Sequence, residues 1–361
     1  MNAPARVGVL GCGVISRQYA ENAKAFDSFE LVACADLDDT QARALEAAHG
    51  LPAVSVTELV ADPSIDIVLN LTPPAVHATV IREALAAGKH VYTEKPLATE
   101  AGDAAGLVEE ADRRGLRLAC APDIFLGGPY QAARRLIDGG SIGEPLAVSA
   151  AMLVGGQESW HPNPDIFFAD GAGPLLDMGP YYVSAIVALL GPVRRVAGFA
   201  STRTRERTIE VGPRAGERFA AATPTHTAAS MQLDSGVTAN LVASFEATGQ
   251  YICDLEIHGT EGALALPDPN SFAGPLRVRR GQAGWQEVPV VSLNGRDARG
   301  IGLHDLVEAI AAGRPPRASG RFGLHVVEVA RGILRSAAEG RTIEIESLID
   351  QPEAMPAASM A

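Results

Sequence analysis

The chain has 361 residues, more than one hydrophobic core comfortably holds, and this length predicts two domains. Hydrophobic residues make up 47% and charged residues 20%, as in soluble globular proteins, and the net charge of −13 disfavours nucleic acid and anionic membranes as partners. No apolar run reaches the ~18 residues of a membrane span, and residues 1–6 lack a signal-peptide core. The four cysteines form no C-x-x-C pair, so we expect reduced thiols, a cytoplasmic location and no metal site.

The predicted elements change character near residue 122. Before it, continuous apolar strands alternate with helices, which predicts an α/β domain with a parallel Rossmann sheet covered on both faces. The predicted strands span 7–10, 31–35, 65–71, 90–93 and 116–121, and the predicted helices span 15–25, 40–49, 77–87 and 100–114. We therefore assign residues 1–122 to the first domain.

Beyond Pro122, strands follow one another with few helices between them. Helices are predicted at 130–137, 181–190, 303–312 and 324–339, and strands at 145–154, 193–201, 228–233, 237–244, 253–258, 263–266, 276–279 and 287–291. This order favours an α+β domain over 123–350 with an open, mainly antiparallel sheet. Residues 351–361 are small and polar, and we expect them to form a disordered tail.

A glycine-rich turn follows the first strand, where residues 11–16 read Gly-Cys-Gly-Val-Ile-Ser. The first glycine permits a tight turn, and the second lets the backbone approach a pyrophosphate at the helix N-terminus. Asp36 ends the second strand, where a carboxylate accepts hydrogen bonds from the ribose hydroxyls of a dinucleotide. The predicted cofactor contacts here are Gly11, Gly13, Val14, Ile15, Asp36 and Leu37.

The residues around Asp36 predict a preference for NAD over NADP. Leu37 and Asp38 follow it, and no Arg or Lys comes before Arg43. A 2′-phosphate would therefore meet two acids and no nearby cation. The alternatives for this region are a purely structural turn and a helix-capping aspartate.

A more specific pattern follows the fourth predicted strand, where residues 92–96 read Tyr-Thr-Glu-Lys-Pro. Together with the turn at 72–74, Gly-Glu-Pro at 143–145 and the stretch 171–177, it resembles the glucose–fructose oxidoreductase/inositol dehydrogenase (Gfo/Idh/MocA) family over nearly the whole chain. The resemblance implies a cis peptide bond before Pro96 that aims Lys95 at the nicotinamide and the substrate hydroxyl. Further predicted cofactor contacts are Thr72, Pro73, His77, Glu94, Lys95 and Pro96.

The second catalytic segment of that family is Asp-x-x-x-His on a helix, and the matching residues here are Asp177 and Tyr181. Positions i and i+4 share a helix face, so we predict that both side chains point into one cleft with Lys95. Tyrosine in place of histidine occurs in some sugar oxidoreductases of the family and departs from the inositol dehydrogenases. Two mechanisms remain open: Tyr181, with an intrinsic pKa of ~10, is the base beside the Lys95 cation, or Lys95 accepts the proton and Tyr181 donates a hydrogen bond.

Three further residues are candidates for substrate contact. Trp160 and His161 lie in an irregular stretch, where an exposed ring with polar neighbours suits the C–H face and hydroxyls of a sugar. The competing interpretation is a packed loop anchor followed by a turn. Asp123 follows a predicted strand end near the expected nicotinamide position, and it is either an acceptor for a substrate hydroxyl or a cap at the domain entry.

Together, the residues and the resemblance imply an NAD-dependent dehydrogenase that oxidises a hydroxyl of a sugar, sugar derivative or polyol. The alternatives are a glycosidase that oxidises its substrate transiently with NAD, and a non-catalytic regulator that binds NAD. A regulator would be expected to lose Lys95 or Asp177, and both are present. Because an exposed apolar sheet face needs cover, we also expect a homodimer or homotetramer formed through the C-terminal sheet.

Overall fold

A computed structural model describes residues 3–248, 251–290 and 299–356, which form two compact units. The first unit combines the chain up to Gly127 with the late segment 299–327, and the remaining described residues form the second unit. The predicted second domain, residues 123–350, therefore differs from the second unit, because the prediction assigned the late segment to it. Among the described residues, no helix is long and apolar enough to cross a membrane.

The first unit is built on a parallel sheet of five strands. The strands are β1 (Ala5–Leu10), β2 (Phe29–Ala35), β3 (Ile67–Asn70), β4 (His90–Thr93) and β5 (Leu118–Cys120). The helices between them are α1 (Val14–Asn22), α2 (Asp39–His49), α3 (Val56–Ala61), α4 (His77–Ala86) and α5 (Ala101–Arg114). The strand order is β2-β1-β3-β4-β5, and the predicted Rossmann sheet is confirmed.

The late segment, which contains α9 (Ile301–Ala312), packs on the edge of this sheet at β5. The backbone N–H of Cys120 donates a hydrogen bond to the carbonyl oxygen of Ala318 at 2.8 Å. The rings of Phe125 and Phe322 pack with their centroids 4.9 Å apart. These contacts join parts of the chain that are far apart in sequence, so local periodicity could not reveal them.

The second unit contains a nine-stranded sheet, a separate hairpin and four helices. The sheet strands are β6 (Pro145–Leu153), β7 (Val193–Ser201), β10 (His226–Leu233), β11 (Thr238–Ser244), β12 (Ile252–Gly259), β13 (Gly262–Leu266), β14 (Leu276–Arg280), β15 (Gln286–Val288) and β16 (Ile343–Glu344). The hairpin strands are β8 (Glu206–Thr208) and β9 (Arg218–Ala220), and the helices are α6 (Gly128–Asp138), α7 (Pro174–Asp177), α8 (Gly179–Leu190) and α10 (Gly320–Glu339), the last of which spans the division between the units.

The order of the large sheet is β15-β14-β13-β12-β6-β11-β10-β7-β16. Its paired strands are antiparallel except for β6 and β11, which confirms the predicted, mainly antiparallel sheet. Helix α8 is buried along its whole length and contacts β6 and β11, while α7 contacts β10 and β11. On β11, Leu241 is buried and its neighbour Asn240 is exposed, so the helices cover one face of the sheet and the other face is open among the described residues.

The prediction that residues 351–361 are disordered is wrong for residues 351–356. The Gln351 side chain donates a hydrogen bond to a carbonyl oxygen of α8 at 3.0 Å. The backbone N–H of Met355 donates to Oε1 of Gln131 at 2.7 Å, and Met355 itself is buried. These contacts fix the segment against α6 and α8. Residues 357–361 lie outside the described residues, as does residue 291, the last of the predicted strand 287–291.

Candidate active site

The glycine-rich turn passes very close to the end of β3. Gly11 has a φ of +95°, and a Cβ on it would lie 2.6 Å from the carbonyl carbon and oxygen of Leu71. Any larger residue would therefore force the two backbone segments apart. A Cβ on Gly13, which begins α1, would meet no described atom within 4 Å. This open space beside a helix N-terminus fits the pyrophosphate of a dinucleotide.

Asp36 connects the turn to the end of β2. Its Oδ2 accepts a hydrogen bond from the backbone N–H of Cys12 at 2.7 Å, and its Oδ1 accepts one from Asp38 at 2.9 Å. Each carboxylate oxygen has a second lone pair for a ribose hydroxyl. Val14 and Leu37 are 92% and 96% exposed, which is typical of apolar side chains that line a ligand site. Ile15 is half-buried in the first turn of α1.

Polar side chains fasten the turn at Thr72 to the neighbouring strand ends. Oδ1 of Asn70 accepts hydrogen bonds from the Thr72 backbone at 3.2 Å and from its hydroxyl at 2.6 Å. The Asn70 amide donates to the Thr93 hydroxyl at 3.1 Å. The predicted contacts Thr72 and Pro73 are therefore held at the carboxyl ends of β3 and β4, and Pro73 is exposed there.

His77 lies beneath this edge and is fully buried. Its two ring nitrogens are each 2.7 Å from a backbone oxygen, one of Thr72 and one of Pro96. Burial lowers the pKa of His77, while the two carbonyls, which each favour a donor, oppose this effect. His77 therefore fastens this edge from inside, and its ring has no exposed surface for direct contact with a ligand.

The Glu-Lys-Pro turn contains the predicted cis peptide bond between Lys95 and Pro96. The buried Glu94 fixes this turn, because its Oε2 accepts a hydrogen bond from the Lys95 backbone N–H at 3.1 Å. Its Oε1 accepts one from the Tyr19 hydroxyl at 3.0 Å and lies 3.5 Å from Nη1 of Arg299. Burial raises the pKa of Tyr19 and keeps the phenol as a donor.

Sequence reasoning missed Tyr19 and Arg299. Arg299 belongs to the late segment and also donates to Oε1 of Gln18 on α1 at 3.0 Å. No local pattern marks it, because its partners lie far away in sequence. Tyr19 follows Ser16 by one helical turn on the buried face of α1, so the helical period could have placed it beneath the glycine-rich turn.

Asp123 is buried inside the first unit, with 0% of its surface exposed. Its Oδ2 accepts hydrogen bonds from the Tyr92 hydroxyl and the Gly302 backbone, both at 2.8 Å. Burial raises its pKa, although the charge of Arg299 and both hydrogen bonds act in the opposite direction. The predicted substrate contact is therefore corrected: this carboxylate joins β4 to α9, and a substrate hydroxyl has no surface on which to reach it.

Asp177 and Tyr181 lie on two consecutive helices, and the prediction of a single helix is wrong. Asp177 ends α7, and Tyr181 is in the first turn of α8. Pro180 causes the break, because it has no N–H to continue the hydrogen bonding of α7. Asp177 is half-buried and Tyr181 is buried, and both side chains have interactions within the chain. The neighbouring Tyr182 is a buried core residue.

Trp160 and His161 belong to an aromatic loop formed by residues 156–168. Trp160 is 62% exposed, and its ring meets the His161 ring edge-on, with centroids 5.4 Å apart. The ring of Phe167 lies 5.1 Å from His161 and 6.3 Å from Trp160. The loop thus presents a large exposed aromatic side chain on a base of two further rings.

A buried arginine of the β8–β9 hairpin lies behind this loop. Arg207 is 5% exposed and forms ion pairs with Glu158 and, at 2.9 Å, with Glu246. Its guanidinium carbon lies 4.5 Å from the centre of the Phe168 ring. Burial opposes ionisation of Glu246, but hydrogen bonds from threonine hydroxyls and the Arg207 charge outweigh it and lower its pKa to about 2.

Comparison with known proteins relates both parts of the chain to one family. Residues 5–121 match the Gfo/Idh/MocA oxidoreductase family with an NAD-binding Rossmann fold, and residues 130–265 match its C-terminal domain. A dTDP-3,4-didehydro-2,6-dideoxy-alpha-D-glucose 3-reductase of Streptomyces violaceoruber is 33% identical over 76% of this chain and 77% of its own.

Two further similarities cover almost the whole chain. A 1,5-anhydro-D-fructose reductase of Ensifer adhaerens is 27% identical over 95% of this chain and 99% of its own. A solved structure of an NAD binding oxidoreductase from Klebsiella pneumoniae superposes with a TM-score of 0.84 and 26% identity. It covers 95% of this chain and 99% of its own, so the similarity includes both units.

The low pKa of Glu246 predicts how stability depends on pH. The pKa is lowered from 4.5 to about 2, so the carboxylate stabilises the folded state fully above pH 4.5 and progressively less as the pH falls through 2. Because solvent screens this partly exposed carboxylate, the difference corresponds to about 1–2 kcal/mol of stability. We expect Glu246→Gln to lower the urea midpoint of unfolding at pH 7. The difference in midpoint between the variant and the unmutated protein should shrink as the pH falls towards 2. A difference in urea midpoint that does not change with pH would contradict this expectation, and so would an equal difference for the control Glu206→Gln, whose ion pair is exposed.

Proposed function

Because this chain belongs to the Gfo/Idh/MocA family of oxidoreductases, we propose that it is an NAD-dependent dehydrogenase that oxidises a hydroxyl of a sugar, sugar derivative or polyol. The observation that carries the proposal is the similarity to reductases of sugar carbonyls over both units. Carbonyl reduction and CH–OH oxidation are the two directions of one hydride transfer. The dinucleotide turn and Asp36 support NAD as the hydride acceptor.

Proton transfer is assigned to this chain's own residues. When bound, NAD would supply the acceptor for the hydride that leaves the substrate carbon. The hydroxyl on that carbon must lose its proton to a base within hydrogen-bond reach, and Lys95 and Tyr181 are the two candidates. Asp177 would orient the hydroxyl by accepting a hydrogen bond. The resemblance of the 92–96 and 177–181 segments to the family supports these roles, and Glu94 fixes the backbone from which Lys95 extends.

The proposed activity is tested by NADH formation from a panel of aldoses, polyols and inositols. We expect net NADH with at least one compound of the panel. A glycosidase that uses NAD transiently would release an aglycone without net NADH, and a regulator would bind NAD without turnover. Either result would overturn the proposed dehydrogenase.

Two substitutions distinguish the candidate bases. Lys95→Met should lower kcat by at least about 10², with NAD affinity unchanged within a few-fold. Tyr181→Phe should approach the same loss if the phenol is the base; if it only orients the substrate, the loss should be about tenfold and appear mainly in KM. Steady-state kinetics with saturating NAD measure both. A Lys95→Met variant with normal kcat would remove Lys95 from the mechanism.

Cofactor preference follows from Asp36. We expect NAD to bind at least about tenfold more tightly than NADP, because a 2′-phosphate would meet this carboxylate. Asp36→Ala should narrow that difference by improving NADP binding. Titration of both cofactors, followed by fluorescence, measures the ratio, and Asp39→Ala on the exposed start of α2 is the control. Equal affinities in the unmutated protein would contradict the assignment.

The open face of the large sheet supports the proposal of a homodimer or homotetramer. Strand register aligns Phe199, Ala228, Val242 and Ala151 in one row across four strands of that face. Phe199 is 82% exposed, which is unusual for a large aromatic residue in the middle of a strand. A second copy of the chain would cover this row.

Phe199→Asp should therefore dissociate the oligomer, because a charge would be buried without a partner in the contact. Light scattering at micromolar concentration should show the oligomer for the unmutated protein and a smaller species for the variant. Leu348→Asp places the same charge at a 69% exposed position outside the sheet and should change nothing. A monomeric unmutated protein would refute the assembly.

A further inference from the structure

The β8–β9 hairpin and the aromatic loop fold against each other within the second unit. The backbone N–H of Glu210 donates a hydrogen bond to the carbonyl oxygen of Glu158 at 2.9 Å. Nη1 of Arg214 donates to Oδ1 of Asp165 at 2.9 Å. The buried Arg207 also joins the hairpin to the loop, through the Glu158 carboxylate. Glu158 is therefore held at both its backbone and its side chain.

Glu158 is connected directly to the exposed aromatic residues. It is the middle residue of the short helical turn Gln157–Ser159. The carbonyl oxygen of Gln157 accepts hydrogen bonds from the backbone N–H groups of Trp160, at 3.2 Å, and His161, at 2.8 Å. A displacement of Glu158 would tilt this turn and move both aromatic residues with it.

We propose that Arg207 is a positioning residue that holds Trp160 and His161 as a binding surface for the ring form of a sugar. This inference rests on the proposed function and names the class of substrate that the second unit recognises. Arg207 does not touch the substrate in this account. It is buried and acts through its contact with the Glu158 carboxylate.

The chemistry of the surface explains the choice of a cyclic sugar. The backbone N–H of Asn163 donates to Nδ1 of His161 at 3.0 Å, so a neutral imidazole carries its proton on Nε2, where it serves as a donor. The exposed Trp160 ring provides a flat apolar face beside this donor. A pyranose or furanose offers a C–H face and fixed hydroxyls to match, whereas a linear polyol has no persistent face.

The packing around Arg207 shows how closely the ion pair is fitted. A Cβ on the buried Gly156 would lie 2.0 Å from Oε2 of Glu158 and 2.5 Å from Nη1 of Arg207. Among the described residues, Nε of Arg207 and Oε2 of Glu158 are buried without hydrogen-bond partners. Buried ion pairs of this kind contribute little net stability compared with apolar side chains of the same size. Fixing one geometry of the loop is a function that apolar packing would serve less well.

The test uses Trp160 as its own reporter. The chain has two tryptophans, and Trp285→Phe leaves Trp160 as the only one. In this background we would compare Arg207→Met, Arg207→Lys and Gly156→Ala, the last of which disturbs the ion pair without removing a charge. The matched control is Arg218→Met on the same hairpin, where the ion pair with Glu206 is exposed. Far-UV circular dichroism and the thermal midpoint would establish that each variant is folded.

We expect D-glucose, D-galactose or D-xylose to change the Trp160 emission of the parent protein, and D-sorbitol to have no effect. Arg207→Met and Gly156→Ala should lower Trp160 anisotropy and weaken sugar binding at least about tenfold. Arg207→Lys should recover part of the binding, and Arg218→Met should stay within twofold of the parent. For any sugar that is turned over, the loss should appear in KM, with kcat within about threefold.

Two results would overturn the inference: no pyranose changes Trp160 emission, or Arg207→Met leaves anisotropy and binding unchanged. If Arg207→Met does not fold, the anisotropy and sugar binding of Arg207→Lys and Gly156→Ala test the inference in its place. The proposed function is judged separately by NADH formation. If NADH forms from a sugar but no sugar changes Trp160 emission, the proposed function stands and the inference is wrong. If sugars change Trp160 emission but no NADH forms, the proposed function is wrong and the sugar-binding surface stands.

Discussion

The close approach of two backbone segments, the turn at Gly11 and the end of β3 at Leu71, determines the binding edge of the first unit. A methyl group on Gly11 would occupy the space of a carbonyl, so the contact exists only because that residue has no side chain. The segment beyond Leu71 is fastened in turn to β4 through Asn70. The buried His77 then connects it to the Lys-Pro turn. The pyrophosphate space and the Lys95 backbone are thus parts of one continuous hydrogen-bonded edge.

Both units place buried charges behind a turn or loop that we propose binds a ligand. In the first, Glu94 fixes the backbone of Lys95 and is itself held by Tyr19 and Arg299. In the second, Arg207 lies behind the aromatic loop. Charged side chains make directional contacts, and removing one partner leaves the other buried and unpaired. Such clusters therefore resist small displacements of the loops and turns they support.

Much of the first unit could be read from the sequence, because its signals are local. The glycine-rich turn and Asp36 each follow from a few neighbouring residues, and the cis Lys95–Pro96 bond was implied by the family resemblance of the segment around it. The errors arose where distant contacts decide the outcome. Asp123 looked like a residue at a site entrance, and the return of α9 buries it. The break at Pro180 is different, because it is a local signal: proline has no N–H, and it interrupts the helix between Asp177 and Tyr181.

The discontinuity of the first unit has a consequence for synthesis on the ribosome. The backbone of Cys120 on β5 bonds to Ala318, so this edge of the sheet stays open until the late segment has emerged. At the usual ~5–20 residues per second, translation from Gly127 to Ala318 takes roughly 10–40 s. During that interval the nascent chain displays an unpaired strand edge, a form that pairs readily with other chains. Shielding by ribosome-associated chaperones is therefore most valuable to this protein while its second unit is being made.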